Sequence, residues 1–328
     1  MSTFGVDSVM EVTVYQRTAG VRLLPQWNSL GVSGGIVAAI GVLGPGGVGG
    51  LLAARFEAAG HQVTVVATEG TAVEITARGL AFQGPDTESS VSYPIARPWL
   101  AAPLDVLFVA VKATQLLPAL ERVPAAVLGA ATVVPLLNGV DHLPLLRGCY
   151  PAASVVAASI VVEATRHRPG VIEQLSPVAD VVVANGTPAG VEVAKLARAA
   201  GLTVTTHPDE KTVLWRKLAF LAPLALLTTG ADAPVGEART GRKSWLRPLV
   251  DEAAAAAGTC SVAVDADAVA ARLRELPAGM QSSMLKDFRS GRSLELDAIA
   301  GPVIRALGVA KAATTVEVVR AILAASRG

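Results

Sequence analysis

Six consecutive residues, Gly44-Pro45-Gly46-Gly47-Val48-Gly49, have the types and the spacing to hold a pyrophosphate. They spell G-x-G-x-x-G between an apolar, β-branched run (Ile36, Val37, Ile40, Val42) and a helical stretch, Leu51–Ala59. In this pattern the first glycine permits a tight turn and the second lets the backbone come close to the phosphates. The third lets the helix pack against the strand. The helix N-terminus adds free N–H groups and the positive end of its dipole. A glycine-rich chain produces the pattern by chance, so the strand before it and the helix after it carry the weight. Together they predict a dinucleotide site.

The elements that must position this loop follow in order. His61–Ala67 reads as a strand, so strand, helix and strand form a right-handed βαβ unit. Thr71–Arg78 reads as a second helix. Leu104–Val111 is an unbroken apolar strand with Lys112 at its carboxyl end, followed by a helix over Ala113–Arg122. Ala131–Leu137 is another buried strand, ending on Asn138-Gly139. Ligands of open α/β sheets lie beyond the carboxyl ends of the strands, which puts Gly44–Gly49, Lys112 and Asn138 along one rim. A lysine also ends strands as a plain surface residue, and Asn-Gly also makes plain turns. Further strands are expected at Val155–Glu163, Val171–Leu175, Val181–Ala184 and Leu202–Thr206, with a helix at Gly190–Ala200. From about Pro208 strand signals stop. Ala-rich helical stretches follow at Glu210–Leu227, Trp245–Ala257, Ala266–Leu276, Ser282–Arg289, Leu294–Ala306 and Thr314–Ala325. The fold class is α/β: a Rossmann-type dinucleotide-binding domain over 36–208, then an all-helical substrate and catalytic domain over 209–328.

Lys+Arg 28 against Asp+Glu 27 leaves no basic block for nucleic acid and no acidic tail. The 52% hydrophobic content, mostly Ala, Val and Leu, means a large buried core. Cys149 and Cys260 match no metal or redox spacing, so a reducing cytoplasm is expected. The histidines show no ligand spacing: His61 follows Gly60 in a turn, and His142, His167 and His207 fall in loop-like stretches. No metal site is expected. Arg17 and Arg22 before the uncharged Leu23–Ala54 have the outline of a signal peptide or membrane span. Pro25, Pro45 and many glycines break that run, and the run contains the nucleotide loop itself. Residues 1–35 are therefore read as an appended arm or an overlong gene start, and no membrane partner is expected.

Five motifs in order give the chain a resemblance to the ketopantoate reductases (2-dehydropantoate 2-reductases). They are VLGPGGVGG, VAVKATQ around Lys112, PLLNGVD around Asn138, LWRKL around Lys217, and SSMLKDFRSGRSLELD with Ser283 and Glu295. The resemblance runs from about Ala38 to the end. It implies reduction of 2-dehydropantoate to (R)-pantoate, on the way to pantothenate, with a nicotinamide cofactor that is usually NADPH. It implies that Lys217 is the general acid and that Glu295 orients it and contacts substrate. By the same resemblance Ser283 binds substrate, and Asn138 and Lys112 contact cofactor and substrate. A homodimer through the helical domain is implied as well. Without the resemblance the residues read blandly. A lysine in W-x-K-L is ordinarily a solvated helix face. Glu295 between two leucines fits an exposed helix carboxylate, and Ser283 fits an N-cap. An ordinary lysine pKa of about 10.4 would keep Lys217 protonated at neutral pH.

The chain departs from the family pattern in two informative places. Where the family carries a substrate-binding Asn one turn after the lysine, this chain has Leu221, with Ala225 a further turn on. Leu221 cannot hydrogen-bond, so a more apolar 2-oxo acid, compensation by neighbouring side chains, or a dinucleotide binder without turnover all stay open. At the end of the second strand Thr68 stands in the place of an Arg that grips the NADP 2′-phosphate, and Glu69 stands beside it. Glu69 repels a phosphate and can accept from a ribose 2′-hydroxyl, which favours NAD, whereas the resemblance favours NADP. The alternative is that Arg78 reaches back, which would reverse that preference.

Overall fold

The structure is a computed structural model, and it describes residues 37–85 and 88–326. The arm expected at 1–35 lies outside the described residues. Eleven strands are described: β1 (Ala39–Leu43), β2 (Gln62–Val66), β3 (Leu80–Gln83), β4 (Ser90–Ser92), β5 (Ile95–Arg97) and β6 (Val106–Val109), then β7 (Thr132–Pro135), β8 (Ser154–Val155), β9 (Ala158–Arg168), β10 (Val171–Ala184) and β11 (Thr203–His207). Helices of the same region are α1 (Gly47–Ala58), α2 (Glu69–Arg78), α3 (Leu116–Leu120), α4 (Ala125–Leu128), α5 (His142–Cys149) and α6 (Pro188–Ala199). The helical region holds α7 (Glu210–Gly230), α8 (Val235–Gly241), α9 (Lys243–Thr259), α10 (Ala266–Glu275), α11 (Ser283–Arg289), α12 (Leu296–Leu307) and α13 (Ala313–Ala325).

A six-stranded parallel sheet runs β5-β2-β1-β6-β7-β8. Its central strands β1, β6 and β7 are short, apolar and buried on both faces, as a sheet covered on both sides requires. One face packs on α1 through Leu51, Leu52 and Phe56, and the other on Leu116, Leu120 and Leu146 of α3 and α5. A second sheet, β11-β10-β3-β4 with β9 on β10, covers the far side of α1, so that helix lies between two sheets.

Sequence periodicity does not reveal this second sheet. Val171–Leu175 and Val181–Ala184 are expected as two strands, and they are one, β10. The register against β9 shifts between Gln174 and Ala179, and Pro177 sits inside that irregularity. A proline that cannot donate to the ladder is tolerated at such a bulge. The helix expected over Ala113–Arg122 is also different. It is a 3-10 turn, Ala113–Gln115, followed by the short α3. Pro118 has no N–H to extend a longer α-helix, and Lys112 O is taken by the N–H of Gln115 at 2.9 Å. The N–H of Ala113 is left without a helical partner.

The helical region is built around α7. Asp209 caps it by accepting from the N–H of Thr212 at 2.8 Å. Its apolar length would suffice to cross a membrane, but α7 is the buried centre of this region, packed by α9, α12 and α13.

Candidate active site

The rim of the six-stranded sheet gathers the loop residues. Gly44 follows β1, Lys112 follows β6 and Asn138 follows β7, and β1, β6 and β7 are adjacent and parallel. Gly44 has φ +87°, a left-handed turn that a side chain resists. Pro45 lies between it and Gly46, the N-cap of α1, whose side of the loop is open: a Cβ there would meet nothing within 4 Å. A Cβ on Gly49, by contrast, would lie 2.1 Å from Gly44 O. Gly47 opens α1, Val48 packs against the core, and the first turn of α1 carries no acidic residue. The loop therefore fits a dinucleotide: open backbone and a helix N-terminus, with no negative charge in its first turn.

At the end of β2, Thr68 stands at the N-cap position of α2 without a side-chain capping bond, and its Oγ1 donates to Thr71 Oγ1 at 3.1 Å. Glu69 is exposed beside it. Arg78 pairs with Glu74 in the last turn of α2, about 13 Å of helix away from Glu69. The alternative in which Arg78 reaches back is not realised here, because the helix fixes it at the far end of α2. Two other arginines stand closer. Arg97 is opposite Val66 on β5, and Arg122 donates to Ala67 O at 3.4 Å and Pro98 O at 2.9 Å.

Where the helical region meets the rim, Glu295 is the central group. It is the residue before α12, and only 6% of it is exposed. Oε1 accepts from the N–H of Ala113 at 2.9 Å, an unpaired donor at the start of its helical segment, and Oε2 accepts from Asn138 Nδ2 at 3.1 Å. It is thus a buried bridge between two regions and not an exposed helix carboxylate. Lys217 stands in the second turn of α7, partly buried. Burial pushes its ammonium down to about 8, and the neighbouring Glu295 carboxylate works in the opposite direction. The ordinary lysine value expected from sequence is corrected by this desolvation. Leu221, one turn on, is partly exposed, and Ala225 is buried. Lys112 pairs with Asp287 of α11, which also holds Arg292 Nε at 2.8 Å. Ser283 is exposed, and the cap of α11 is Ser282, which accepts from the N–H of Leu285 and meets Thr228 Oγ1 at 2.7 Å.

A family model for ketopantoate reductase PanE/ApbA matches residues 40–186, and the model for its C-terminal part matches residues 209–327. The chain belongs to the ketopantoate reductase family. A 2-dehydropantoate 2-reductase of Mycobacterium tuberculosis is 30% identical over 273 residues, covering 81% of this chain and 90% of that one. One from Caulobacter vibrioides is 30% identical over 274 residues, covering 81% and 91%. Among solved structures, a PanE/ApbA family ketopantoate reductase from Ralstonia eutropha has a TM-score of 0.78 at 22% identity, covering 88% of this chain and 98% of that one. A D-mandelate dehydrogenase solved with NADH and anilino(oxo)acetate has a TM-score of 0.78 at 18% identity, covering 88% and 98%. The chain is thus an NAD(P)-dependent oxidoreductase of a family that reduces 2-oxo acids.

Within this ketopantoate reductase relative, three site-adjacent residues escape a reading of spacing. Asp287 reads as one more charge on an amphipathic helix, yet it is 4% exposed and ion-paired across the interface. Thr228 is fully buried, eleven residues after Lys217 and so nearly on the same helix face. His142 is not in a loop: it opens α5 and is buried, because the segment after Asn138-Gly139 turns straight into a helix. The only available signal was the apolar spacing of Leu143 and Leu146 behind it.

Proposed function

We propose that this chain reduces the ketone of a small 2-oxo acid, with 2-dehydropantoate as the leading substrate and (R)-pantoate as product. The observation that carries the reading is the buried Glu295 carboxylate, held by Asn138 on the cofactor rim and near enough to the partly buried Lys217 for its charge to act on the ammonium. Gly44–Gly49 would hold the pyrophosphate, and Lys112 and Asn138 would face the nicotinamide side. The chemistry a reduced nicotinamide brings to such a site is a hydride. Lys217 donates a proton to the ketone oxygen as that carbon takes the hydride, so ketone, hydride and proton balance to the alcohol. Glu295 keeps the lysine charged and oriented, and its two hydrogen bonds fix the carboxylate itself. Ser283, exposed at the start of α11, is assigned to the substrate side. The test is loss of 340 nm absorbance with NADPH or NADH and 2-dehydropantoate. Cofactor binding without turnover on any 2-oxo acid would overturn the reading.

Leu221 favours a second substrate class, a more apolar 2-oxo acid. The Asn it replaces would give a hydroxyl-bearing substrate a hydrogen bond, worth about a tenfold change in rate. Leu221→Asn is expected to raise kcat/KM for 2-dehydropantoate about tenfold and to lower it for an aryl 2-oxo acid. Unchanged ratios in a substrate panel would remove Leu221 from the specificity argument.

Both dinucleotides are proposed as cofactors. Glu69 opposes a 2′-phosphate, whereas Arg97 and Arg122 place positive charge at the same strand end. Glu69→Gln is expected to shift the NADPH/NADH ratio of kcat/KM about fivefold towards NADPH, and Arg97→Ala to shift it towards NADH. Ratios measured at low and high salt check the electrostatic origin. The site is proposed to work in the cytoplasm without nucleic-acid or membrane partners, in a homodimer formed through the helical region.

A further inference from the structure

The side chain of a 2-oxo acid in the cleft needs two walls, and α7 supplies one. Val213, Leu214, Lys217, Leu221, Leu224 and Thr228 recur at helical spacing and fall on one face of α7. Both ends of that face are seated. Val213 and Leu214 pack with Ala157 and Ala184 in one buried cluster, and Thr228 meets Ser282 of α11 at 2.7 Å. Between the two ends, Lys217 and Leu221 stay partly exposed.

The strand that crosses the same gap is β9. Its Ala158, Ile160, Val162 and Ala164 belong to the core around α1, so Val161 and Glu163 point to the other side. At the near end, Ala157 shares its buried cluster with Val213 and Leu214 of α7. At the far end, Glu163 holds Lys286 of α11 at 3.1 Å. The strand and the helix are thus tied together twice, once directly and once through α11. Val161 lies between the two ties on β9, as Lys217 and Leu221 do on α7. It is 49% exposed, so no part of the protein fills the space in front of it. Ser283, also exposed, stands three residues before Lys286 on α11. The open space bounded by these groups is the cleft.

We infer that Val161 is a second specificity-determining residue: with Leu221 it makes both walls of the substrate side-chain pocket hydrocarbon, so the pocket takes 2-oxo acids whose side chain is a branched alkyl group without a hydroxyl. The inference rests on the reading of this cleft as the site of 2-oxo acid reduction and takes up its more apolar substrate class. The polar groups are left to the reacting end of the molecule, with Lys217 at the ketone. A substrate hydroxyl placed between Val161 and Leu221 loses water and gains no partner from either side chain, whereas a methyl in its place gains from leaving water.

The test is a matched pair of substrates offered to the full chain: 2-dehydropantoate, and 3,3-dimethyl-2-oxobutanoate, which carries a hydrogen in place of the hydroxyl. The wild type is expected to favour the hydroxyl-free acid about tenfold in kcat/KM. Val161→Thr keeps the β-branched shape and adds one hydroxyl to the wall. It is expected to lower that ratio about fivefold with Tm unchanged. A general disturbance of the fold moves both substrates alike and cancels in the ratio. The ratio is also read without turnover, by calorimetric titration of each acid into protein saturated with oxidised dinucleotide. A wild-type preference for 2-dehydropantoate, no binding of either acid, or a ratio that Val161→Thr leaves unmoved overturns the inference. Turnover with an unmoved ratio keeps the reductase reading and removes only the role of Val161. Binding in the expected ratio without turnover of either acid does the reverse: the pocket stands and the reaction is withdrawn.

Discussion

Lys217→Ala is expected to lose about a thousandfold in kcat while binding NADPH and NADH as the wild type does. General acid catalysis contributes typically 10² to 10⁴ in rate, and the removed ammonium also holds the developing alkoxide. Dinucleotide binding survives because the glycine loop and α1 belong to the parallel sheet, whereas Lys217 belongs to α7. The pH dependence follows from the same group. The reduction needs the protonated lysine, and burial brings its pKa to about 8. The rate of reduction is therefore full below about pH 7 and falls as pH rises through 8, where the donor becomes free amine. An ordinary surface lysine would hold the rate to beyond pH 10. Steady-state kinetics across pH 6–10, with cofactor binding followed by fluorescence titration, check both statements. A variant that keeps wild-type kcat would sink the acid assignment.

The second large effect is a contrast between two glycines three residues apart. Gly49→Ala places a Cβ 2.1 Å from Gly44 O, a backbone atom that cannot swing away. The loop or α1 must shift, and overpacking of this kind costs about 1–3 kcal/mol of stability. Because the displaced atom belongs to the phosphate turn, dinucleotide affinity is expected to fall at least a hundredfold, with a lower Tm. Gly46→Ala meets nothing in the protein, and Gly46 has an ordinary negative φ of −74°. It is expected to leave Tm unchanged and to weaken dinucleotide binding about tenfold, because the methyl occupies the space the phosphates approach. Thermal unfolding and cofactor titration on both variants read the two quantities separately. Equal affinities in wild type and Gly49→Ala would mean that the loop does not hold the dinucleotide.

The local features of this chain were legible because their causes are local. A glycine pattern between an apolar strand and a helix depends on backbone sterics over a dozen residues. Strands that are apolar on both faces announce a covered parallel sheet. The rim of Gly44, Lys112 and Asn138 followed from strand direction alone, and the change near Pro208 from strand to helix period was visible in the residues themselves. The family motifs added roles for Lys217, Glu295 and Ser283 that spacing could not supply.

Only the tertiary structure decided which of those residues are desolvated and what they face. Glu295 reads the same in sequence whether exposed or buried, and its partners Ala113 and Asn138 are 182 and 157 residues away. Ala113 opens the helical segment after Lys112, so its N–H has no intrahelical acceptor, and only the tertiary fold brings Glu295 to it across the seam. The joining of β10 through Pro177 depended on a bulge opposite β9, which no periodicity signals. Lys217 owes its lowered pKa, and His142 its neutral ring, to the packing of α5 and α7 around them. Periodicity records which face a residue turns inward. Electrostatic character depends on how much water and which charges remain around it, and those are set by elements far apart in the chain.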